Sequence, residues 1–433
     1  MEAKTLRYHL IKNILTLLNE KFTLHGVRVA YISLKMCQYE NRTVDKKLRN
    51  FIEAALLHDI GAYSTEEVKD MLRFETTTTL NHSYYGYLFL KYLSEYKDYA
   101  ETIKYHHTKY IDRHAIKSIF LPDAFRIHLA DRVDISFLNN DTEKELIQKI
   151  KKMSGVWFNP SDVDLFIKAN EKYHIVTHLE NNDFEQDLID FYSNFDYDFQ
   201  EILSILRMLT YSIDFRSEQT VIHTISSAIT AKELGKYFNL SDDMQEDLYI
   251  GALLHDIGKI DVPLEILEST ERLSEEEMVI MRGHVDKTEK IIKGYVSDQV
   301  VKIASRHHER LDGSGYPNHL TAKDLSLSER IVAVSDVFCA LVEKRTYKNS
   351  YHKEEVLGLL HQMANDNLFD KHVIDALTEN YDNILKSIKK SSFSIRSKYT
   401  NLKTEYLNFI KESEKNNITF ASGGELFPAF TSN

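Results

Sequence analysis

Two copies of one short segment constrain the fold of this chain more than any other feature of its sequence. AALLHDIG stands at 54–61 and GALLHDIG at 251–258, each at the end of an apolar stretch with helical spacing. A histidine precedes each copy by nearly the same interval: His25 lies before His58, and His223 lies before His255. The same groups in the same order indicate an internal duplication.

The residues downstream of the segment extend the duplication. Each copy continues with a single histidine, then two adjacent histidines, then an aspartate within an apolar helical stretch. These residues are His82, His106, His107 and Asp131 in the first copy, and His284, His307, His308 and Asp336 in the second. Agreement at every step predicts two homologous domains in tandem.

Composition and periodicity indicate the secondary structure of both copies. Only 14 glycines and 5 prolines interrupt the 433 residues, and apolar residues recur at three- and four-residue intervals, as in 248–260 and 329–342. Long helices are expected, because glycine and proline are the residues that end them. The sequence therefore predicts an all-α fold, with two tandem helical domains joined by a helical connector.

Domain boundaries follow from these landmarks. We expect the first domain at 1–150, the connector at 151–210, the second domain at 211–395, and a C-terminal helix and tail at 396–433. The connector contains the acidic, aromatic run NNDFEQDLIDFYSNFDYDFQEIL, for which a solvated amphipathic helix is the simplest interpretation.

Charge and cysteine content restrict the class of protein. The formal net charge of −12 disfavours a nucleic-acid polymer as partner, because its phosphates would be repelled. The two cysteines, Cys37 and Cys339, suggest no disulfide framework, so a reducing cytoplasm is the expected location. The N-terminal stretch lacks a signal-peptide core, and no apolar run reaches bilayer length, so no membrane partner is expected. A second copy of the chain, forming a homodimer, is a candidate partner.

The second copy carries a set of side chains suited to metal ions. Its candidate ligands are His223, His255, Asp256, His284, His307, His308 and Asp336. Imidazole and carboxylate bind first-row metals, and the lack of cysteine ligands argues against a structural zinc site. Seven ligands suit two ions that share a bridging carboxylate, and Asp256 is the candidate bridge. Such a pair, about 3.5–4 Å apart, suits hydrolysis at phosphorus.

Two motifs of this copy, HDIGK at 255–259 and HHERLDGSGYP at 307–317, together resemble the HD-GYP family, a branch of the HD-domain phosphohydrolases. The resemblance extends from about residue 215 to residue 370. It implies an all-α phosphodiesterase that hydrolyses a cyclic dinucleotide to a linear 5′-phosphorylated dinucleotide. The substrate in this family is chiefly cyclic di-GMP, and some members prefer 3′,3′-cyclic GMP-AMP.

The resemblance also implies roles for individual residues. It assigns His223, His255 and Asp336 to one ion, His284, His307 and His308 to the other, and Asp256 to the bridge. Lys259 matches a lysine that approaches the scissile phosphate, and Arg345 and Lys348 match basic residues that hold the substrate phosphates. Gly315, Tyr316 and Pro317 form the substrate-side loop of the family name. Two divalent ions, iron or manganese, are the expected cofactors.

Several positions depart from the family pattern. Gln219 stands where three-metal members carry a glutamate, so two ions are expected instead of three. Cys339 replaces the second aspartate of DVFDAL, while Thr346 and Lys348 replace residues of the RPYR motif. These departures leave the choice between the two cyclic dinucleotides open.

The first copy predicts a second metal site without a second phosphodiesterase. Its candidate ligands are His25, His58, Asp59, His82, His106, His107 and Asp131. Ala62 stands where the second copy has Lys259, and HHTKYID at 106–112 contains no GYP loop. A degenerate copy retained for packing or dimerisation, and an HD nucleotidase, are the alternatives for this half.

Two other functions compete with the phosphodiesterase for the whole chain. One is a non-hydrolytic receptor for a cyclic dinucleotide, and the other is an HD nucleotidase acting on mononucleotides or alarmones. The intact ligand set and Lys259 favour an enzyme over a receptor, and the GYP loop disfavours the nucleotidase. The sequence shows no recognisable regulatory domain, so the input that controls the activity stays open.

Overall fold

The computed structural model describes residues 6–18, 20–62, 82–94, 96–214, 218–267, 269, 271–343 and 353–416. Within these ranges helices are the only regular secondary structure, and the β-bridges are isolated pairs such as Asp312 with Thr321. The predicted all-α fold is confirmed.

The helices group into two compact units. The first comprises Met1–Ile202 together with Leu402–Asn433, and the second comprises Leu203–Asn401. The helices between 151 and 202, which the sequence suggested as a connector, group with the first unit. The exact domain boundaries drawn from the sequence remain predictions.

The first unit consists of consecutive helices along most of its described length. They are α1 (Leu6–Leu18), α2 (Glu20–Tyr39), α3 (Lys46–Leu56), α4 (His82–Leu93), α5 (Ala100–Tyr105), α6 (Leu121–Leu138), α7 (Glu143–Lys152), α8 (Pro160–Tyr173), α9 (Ile175–Asn181) and α10 (Glu185–Tyr192). Helix α11 (Phe199–Asp214) begins in this unit and ends in the second.

The core of the first unit forms around α2 and α6. Helix α2 packs against α1, α3, α6 and α8, and α6 is buried continuously over 124–134. Charged residues within that buried stretch are paired, since an isolated buried charge is costly. Arg126, for example, binds Asp162 at 3.0 Å and Glu40 at 2.6 Å. Ion pairs and helix packing therefore both fix the position of the helix that bears Asp131.

Helix α3 positions the first HD pair. It begins at the N-cap Asp45, whose carboxylate accepts a hydrogen bond from the backbone N–H of Leu48 at 2.9 Å. Such a cap satisfies a backbone donor that has no partner within the helix. Phe51 is buried in the core, and the helix ends just before His58. The end of α3 thereby places the HD pair inside the unit.

The second unit repeats this arrangement with its own helices. They are α12 (Glu218–Tyr237), α13 (Asp242–Leu254), α14 (Leu264–Leu267), α15 (Glu275–Arg282), α16 (His284–Ile292), α17 (Asp298–Ser305), α18 (Leu327–Glu343), α19 (Lys353–Asn365) and α20 (Lys371–Asn416), the last of which continues into the first unit. Helix α12 packs against α13 and α18, and α13 packs against α17. Gly251 on α13 allows the close approach of α17, because a Cβ there would lie 2.8 Å from the Cβ of Ile303.

A short 3₁₀ turn, Ile257–Asp261, follows the end of α13 and packs against α16. The backbone N–H of Gly258 donates to the hydroxyl of Thr288 at 3.0 Å, and that hydroxyl donates to the carbonyl of His255 at 2.9 Å. A Cβ at Gly258 would overlap the carbonyl oxygen of His284 and lie 2.6 Å from the amide nitrogen of Thr288. Glycine is thus required for the turn to lie against α16.

The end of α20 packs in the first unit against α4. Glu405 accepts hydrogen bonds from Tyr87 at 2.7 Å, Tyr92 at 2.6 Å and Lys91 at 2.8 Å. The ring of Phe409 stacks on Tyr84 with 3.6 Å between centroids. Because α4 begins at His82, this contact supports a helix that carries a candidate ligand.

None of the helices that can be described is both long enough and apolar enough to cross a membrane.

We predict that Gly258→Ala destabilises the second unit, because the added methyl group would force the turn away from α16. Overpacking of this kind typically costs about 1–3 kcal/mol. Gly358→Ala in α19 is the matched control: no heavy atom lies within 4 Å of its Cβ position, and alanine should stabilise the helix by about 0.4–1 kcal/mol. Urea unfolding followed by circular dichroism should move the two midpoints in opposite directions. Equal midpoints for the two variants would contradict the close approach.

Candidate metal centres and active site

The structure brings all seven candidate ligands of the second copy into one cluster. Helix α12 supplies one histidine, the end of α13 supplies the HD pair, α16 begins with the next, the doublet follows α17, and α18 supplies the aspartate. The ligand atoms fall into groups whose members lie within 4.8 Å of one another. These groups are His223 with His255 and Asp256, His255 with His307 and Asp336, and His284 with His307 and His308.

Backbone carbonyl groups orient three of the imidazole rings. The Nδ1 atoms of His255, His284 and His307 lie 2.7, 2.5 and 2.7 Å from the carbonyl oxygens of the residues three positions earlier. A ring that donates from Nδ1 to a carbonyl presents Nε2 as its acceptor atom, which is how histidines are commonly held at metal centres. All three Nε2 atoms therefore face the cluster.

The two carboxylate oxygens of Asp256 face different histidines. Oδ2 lies 3.2 Å from Nε2 of His255, whereas Oδ1 lies 3.5 Å from Nε2 of His284 and 3.9 Å from Nε2 of His307. Asp336 lies on the first side, with Oδ1 3.0 Å from Nε2 of His223. This division of oxygens is the geometry that a carboxylate bridging two ions requires.

Buried polar atoms in the cluster indicate that its residues fit divalent cations. Among the residues that the structure describes, Nε2 of His255 and Oδ1 of Asp256 are buried without a hydrogen-bond partner. Leaving such an atom unsatisfied costs about 1–3 kcal/mol, and charged groups cost more. Imidazole nitrogens and carboxylate oxygens that converge in this way are suited to divalent transition metals.

The protonation states of His307, His308 and Asp256 suit metal binding, whereas the carboxylates of Asp256 and Asp336 outweigh the effect of burial and raise the pKa of His255. Burial lowers the pKa of His308 to about 3 and holds the pKa of His307 well below its ordinary value. Burial alone would raise the pKa of Asp256, but His255 and Lys259 together hold it well below its ordinary value. Neutral imidazole and ionised carboxylate are the forms that bind metal ions.

Lys259 and the GYP loop lie beside this cluster. The ammonium group of Lys259 is 2.5 Å from Oδ2 of Asp256. The Tyr316 ring lies against that of His308, with 4.8 Å between centroids. The loop is anchored from inside by the buried Glu309, whose carboxylate accepts hydrogen bonds from the backbone N–H groups of Asn318 at 2.7 Å and Leu320 at 2.9 Å. Both motifs of the HD-GYP resemblance therefore converge on the same cluster.

Gly315 and Pro317 flank Tyr316 in this loop. Only glycine fits at position 315, because the backbone there lies close to Glu309. A Cβ atom at this position would lie 2.5 Å from the Cα of Glu309. An arginine that the sequence reasoning did not single out, Arg282, lies over the Tyr316 ring at 5.2 Å from its centroid. The sequence signal that could have identified Arg282 is its position two residues before the candidate ligand His284.

Three of the sequence predictions fall outside what the structure describes. Arg345, Thr346 and Lys348 lie in the segment 344–352, outside the described residues. Gln219 lies in α12, but its side chain is not among those described. The roles of these residues and the number of bound ions stay predictions.

The first unit contains a second cluster with the same connections. It comprises His25 from α2, His58 and Asp59 after α3, His82 from α4, His106 and His107 after α5, and Asp131 from α6. Oδ1 of Asp59 lies 2.9 Å from Nε2 of His82, while Oδ2 lies 3.5 Å from Nε2 of His58. The carboxylate of this HD pair therefore also faces two sets of histidines.

The same structural supports surround the first cluster. The Nδ1 atoms of His58 and His106 lie 2.8 and 2.6 Å from the carbonyl oxygens of Ala55 and Ile103. In the described part of the chain, Nε2 of both rings is buried without a hydrogen-bond partner. By the same argument, these residues also fit divalent cations.

Where the second unit has its GYP loop, the first unit has a different structure. The backbone N–H groups of Tyr110 and Ile111 donate to the carbonyls of Trp157 and Val156 at 3.0 and 2.9 Å. His128 on α6 lies between His107 and Trp157, at centroid distances of 6.2 and 6.3 Å. The two clusters therefore share their ligands but differ at their openings.

Family comparisons agree with two domains of one kind. One family model described as HD domain matches residues 24–136, and another described as HD domain matches residues 207–373. Each of these ranges contains all the candidate ligands of one cluster. The predicted pair of tandem HD domains is confirmed.

Curated relatives match one or both units. The chain is 28% identical over 386 residues to 3′3′-cGAMP-specific phosphodiesterase 1 of Vibrio cholerae, covering 82% of this chain and 86% of that protein. It is 34% identical over 175 residues to the cyclic di-GMP phosphodiesterase response regulator RpfG of Xanthomonas campestris, covering 40% of this chain and 46% of that protein. The first match therefore involves both units, whereas the second spans less than half of either protein.

A solved structure supports the fold. The crystal structure of a cyclic GMP-AMP specific phosphodiesterase from V. cholerae matches with a TM-score of 0.53 at 19% sequence identity. The match covers 88% of this chain and 97% of the solved chain.

We predict that Asp256→Asn lowers the metal content of the chain while the helical fold survives. A neutral amide cannot bridge two cations at close range, and the change in charge is confined to one buried group. Elemental analysis after dialysis into metal-free buffer, in an Asp59→Asn background that disables the first cluster, measures the loss. Unchanged helicity by circular dichroism is the control, and an undiminished metal content would contradict the bridging geometry.

Proposed function

We propose that this chain, which belongs to the HD-domain family and carries the HD-GYP motifs in its second unit, is a metal-dependent phosphodiesterase that hydrolyses a cyclic dinucleotide. The product is the linear 5′-phosphorylated dinucleotide. The observation that carries this proposal is the position of the seven-ligand cluster between Lys259 and Tyr316. Metal ligands, a phosphate-binding cation and an aromatic surface thus surround one site.

Each ligand has a place in this mechanism. His223, His255 and Asp336 would hold one divalent ion, His284, His307 and His308 the other, and Asp256 both. Two ions held in this way supply a hydroxide near neutral pH and neutralise charge on the phosphoryl oxygens. Iron and manganese are the proposed metals, because both suit imidazole and carboxylate ligands.

Lys259 and the GYP loop would position the substrate. The ammonium group of Lys259, held against Asp256, would pair with a non-bridging oxygen of the scissile phosphodiester. The Tyr316 ring would offer an aromatic edge to a nucleobase, and the contact with Arg282, 5.2 Å from the ring centroid, would help to keep the ring in place. Holding the phosphorus in line with the attacking hydroxide is a large part of catalysis by such sites.

Of the two candidate substrates, we propose that 3′,3′-cyclic GMP-AMP is hydrolysed faster. Support comes from the relative named as specific for that nucleotide, which is matched across both units, whereas the relative named for cyclic di-GMP is matched over less than half of its length. We also propose that the phosphodiesterase acts as a homodimer in the cytoplasm, which light scattering and cell fractionation can test.

We predict that Arg345→Ala weakens substrate binding without changing metal content. A guanidinium can pair with phosphate oxygens but, being always cationic, cannot be a metal ligand. Losing one charge-assisted contact typically costs about 1.5–3 kcal/mol, which corresponds to roughly ten- to a hundredfold in affinity. The exposed Arg396 on α20, replaced by alanine, is the control for loss of one positive charge. Steady-state kinetics in which KM and kcat match those of the control would refute the role of Arg345.

The test of the proposed function separates the two units. His255→Ala with Asp256→Ala should abolish hydrolysis, whereas His58→Ala with Asp59→Ala should leave most of it, because only the second unit combines its metal ligands with Lys259 and the GYP loop. Chromatography should follow turnover of cyclic di-GMP and 3′,3′-cyclic GMP-AMP by protein reconstituted with manganese or ferrous iron. Circular dichroism and light scattering check that each variant is folded. A folded second-unit variant that keeps full activity would place the reaction elsewhere, and binding without turnover by the unmodified protein would identify a receptor.

A further inference from the structure

The first cluster has a positive charge of its own, on a residue that its sequence motif does not include. Arg132 follows Asp131 on α6, and its Nη2 and Nε atoms donate to Oδ2 of Asp131 at 2.6 and 3.0 Å. The side chain is 5% exposed. The corresponding position in the second unit, directly after Asp336, is Val337. This cation is therefore particular to the first unit.

The charges of the two clusters match even though the positions of the cations differ. In the second unit Lys259, four residues after His255, pairs with one of the two ligand carboxylates at 2.5 Å. Four residues after His58 stands Ala62, which carries no charge, but Arg132 pairs with the other ligand carboxylate of that unit. In each cluster, a cation thus pairs directly with one of the two ligand aspartates. In the first unit the cation lies on α6, whereas in the second unit it lies on the turn that follows the HD pair.

Residues that are not themselves candidate ligands hydrogen-bond to a ligand of the first cluster. Nδ1 of His25 lies 2.7 Å from Oδ2 of Asp134, and Arg28 pairs with the same buried carboxylate. A carboxylate that orients a ligating imidazole typically improves metal affinity about 10- to 100-fold. In the second unit the corresponding residue is Cys339, whose Sγ lies 3.5 Å from the hydroxyl of Thr230. A copy retained only for packing has no need for these costly buried charges.

The first cluster is reached from the side of its HD pair and doublet. The side chains of Asp59, His82 and His107 are 14%, 17% and 12% exposed to solvent, whereas that of His58 is fully buried. Near this side, Lys109 lies over the ring of Trp157 at 4.6 Å. A small ligand can therefore approach the metal-ligating atoms from solvent.

We propose that the first unit is a second, metal-dependent oxyanion-binding centre in which Arg132 takes the part that Lys259 takes in the second unit. The ligand is a phosphate group, free or carried by a nucleotide. A guanidinium has five N–H groups in a planar fork suited to phosphate, and two of them bind Asp131. The proposal concerns binding to the first unit and does not depend on hydrolysis in the second.

A single tryptophan allows this centre to be observed by itself. Trp157 is the only tryptophan of the chain, and its ring lies 6.3 Å from that of His128, which in turn lies 6.2 Å from that of the ligand His107. Its fluorescence therefore reports on the first unit whatever binds to the second. The full chain, with Asp256→Asn to disable the second cluster and with Mn²⁺ bound, would be titrated with inorganic phosphate and, in a parallel arm, with adenosine 5′-monophosphate.

Arg132→Met is the informative variant, because it removes the charge but keeps a side chain of similar length. We expect at least a tenfold rise in the apparent Kd for phosphate with manganese content unchanged. Arg113→Met is the matched control, since Arg113 stacks on Tyr110 in the same unit, 4.2 Å from the ring centroid, and should leave the affinity as it was. Adding Ala62→Lys to Arg132→Met restores a cation at the position of Lys259 and should recover phosphate binding.

Three results would overturn the proposal. One is an affinity in Arg132→Met equal to that of its parent in both the phosphate arm and the nucleotide arm. Another is the absence of binding in both arms, by Trp157 fluorescence and by calorimetry. The third is loss of manganese together with phosphate in Arg132→Met without rescue by Ala62→Lys, which would mean that Arg132 only supports Asp131. Dependence on Arg132 in the nucleotide arm alone would identify the ligand as a nucleotide, and dependence in both arms would identify the phosphate group as sufficient.

Discussion

A buried carboxylate surrounded by imidazole rings is the interaction on which each unit depends. In the second unit, the oxygens of Asp256 lie 3.2 Å from His255 and 3.5 Å from His284. Several of these atoms are buried and, within the described residues, lack hydrogen-bond partners. Removing such atoms from water costs free energy, which the contact of Lys259 with Asp256 returns only in part. Binding of divalent cations would offset that cost, and the surrounding helices are arranged to make it possible.

The backbone does most of the positioning. Carbonyl groups near the ends of helices hold three of the imidazole rings, each through the residue three positions earlier in the chain. The glycine of the HD turn allows the pair to lie against α16, whose first residue is a further ligand. A change in the turn would therefore move ligands on two helices at once, which makes the centre sensitive to backbone packing as well as to its ligands.

The two units show how one framework can support different sites. Both units hold a carboxylate between two groups of histidines. In both, one of the two ligand carboxylates is paired with a cation. They differ in what surrounds the opening. The second unit has a loop with Tyr316 against His308, and the first has Trp157 and His128 near His107. Divergence in these surroundings changes which ligands can approach, while the metal-ligating framework is kept.

The sequence alone determined the helical class, the tandem duplication and the set of residues that meet in each cluster. It could do so because helix periodicity is local, and because the repeated order of histidines and aspartates identified positions with a shared role. The adjacency of His255 and Asp256 at the end of an apolar helix already implied that both belong to one site.

Only the tertiary structure decided how those residues are completed. The position of Arg282 over Tyr316 and the contact of Glu405 with the helix of His82 follow from how the chain packs, and the pairing of Arg132 with Asp131 depends on the side-chain conformation adopted within one buried helix. Arg132 illustrates the reason. Ala62 indicated that the first unit had lost its cation, because a motif compares equivalent positions along the chain. A charge acts across space, however, and a neighbouring helix can supply it from a position that the motif does not contain.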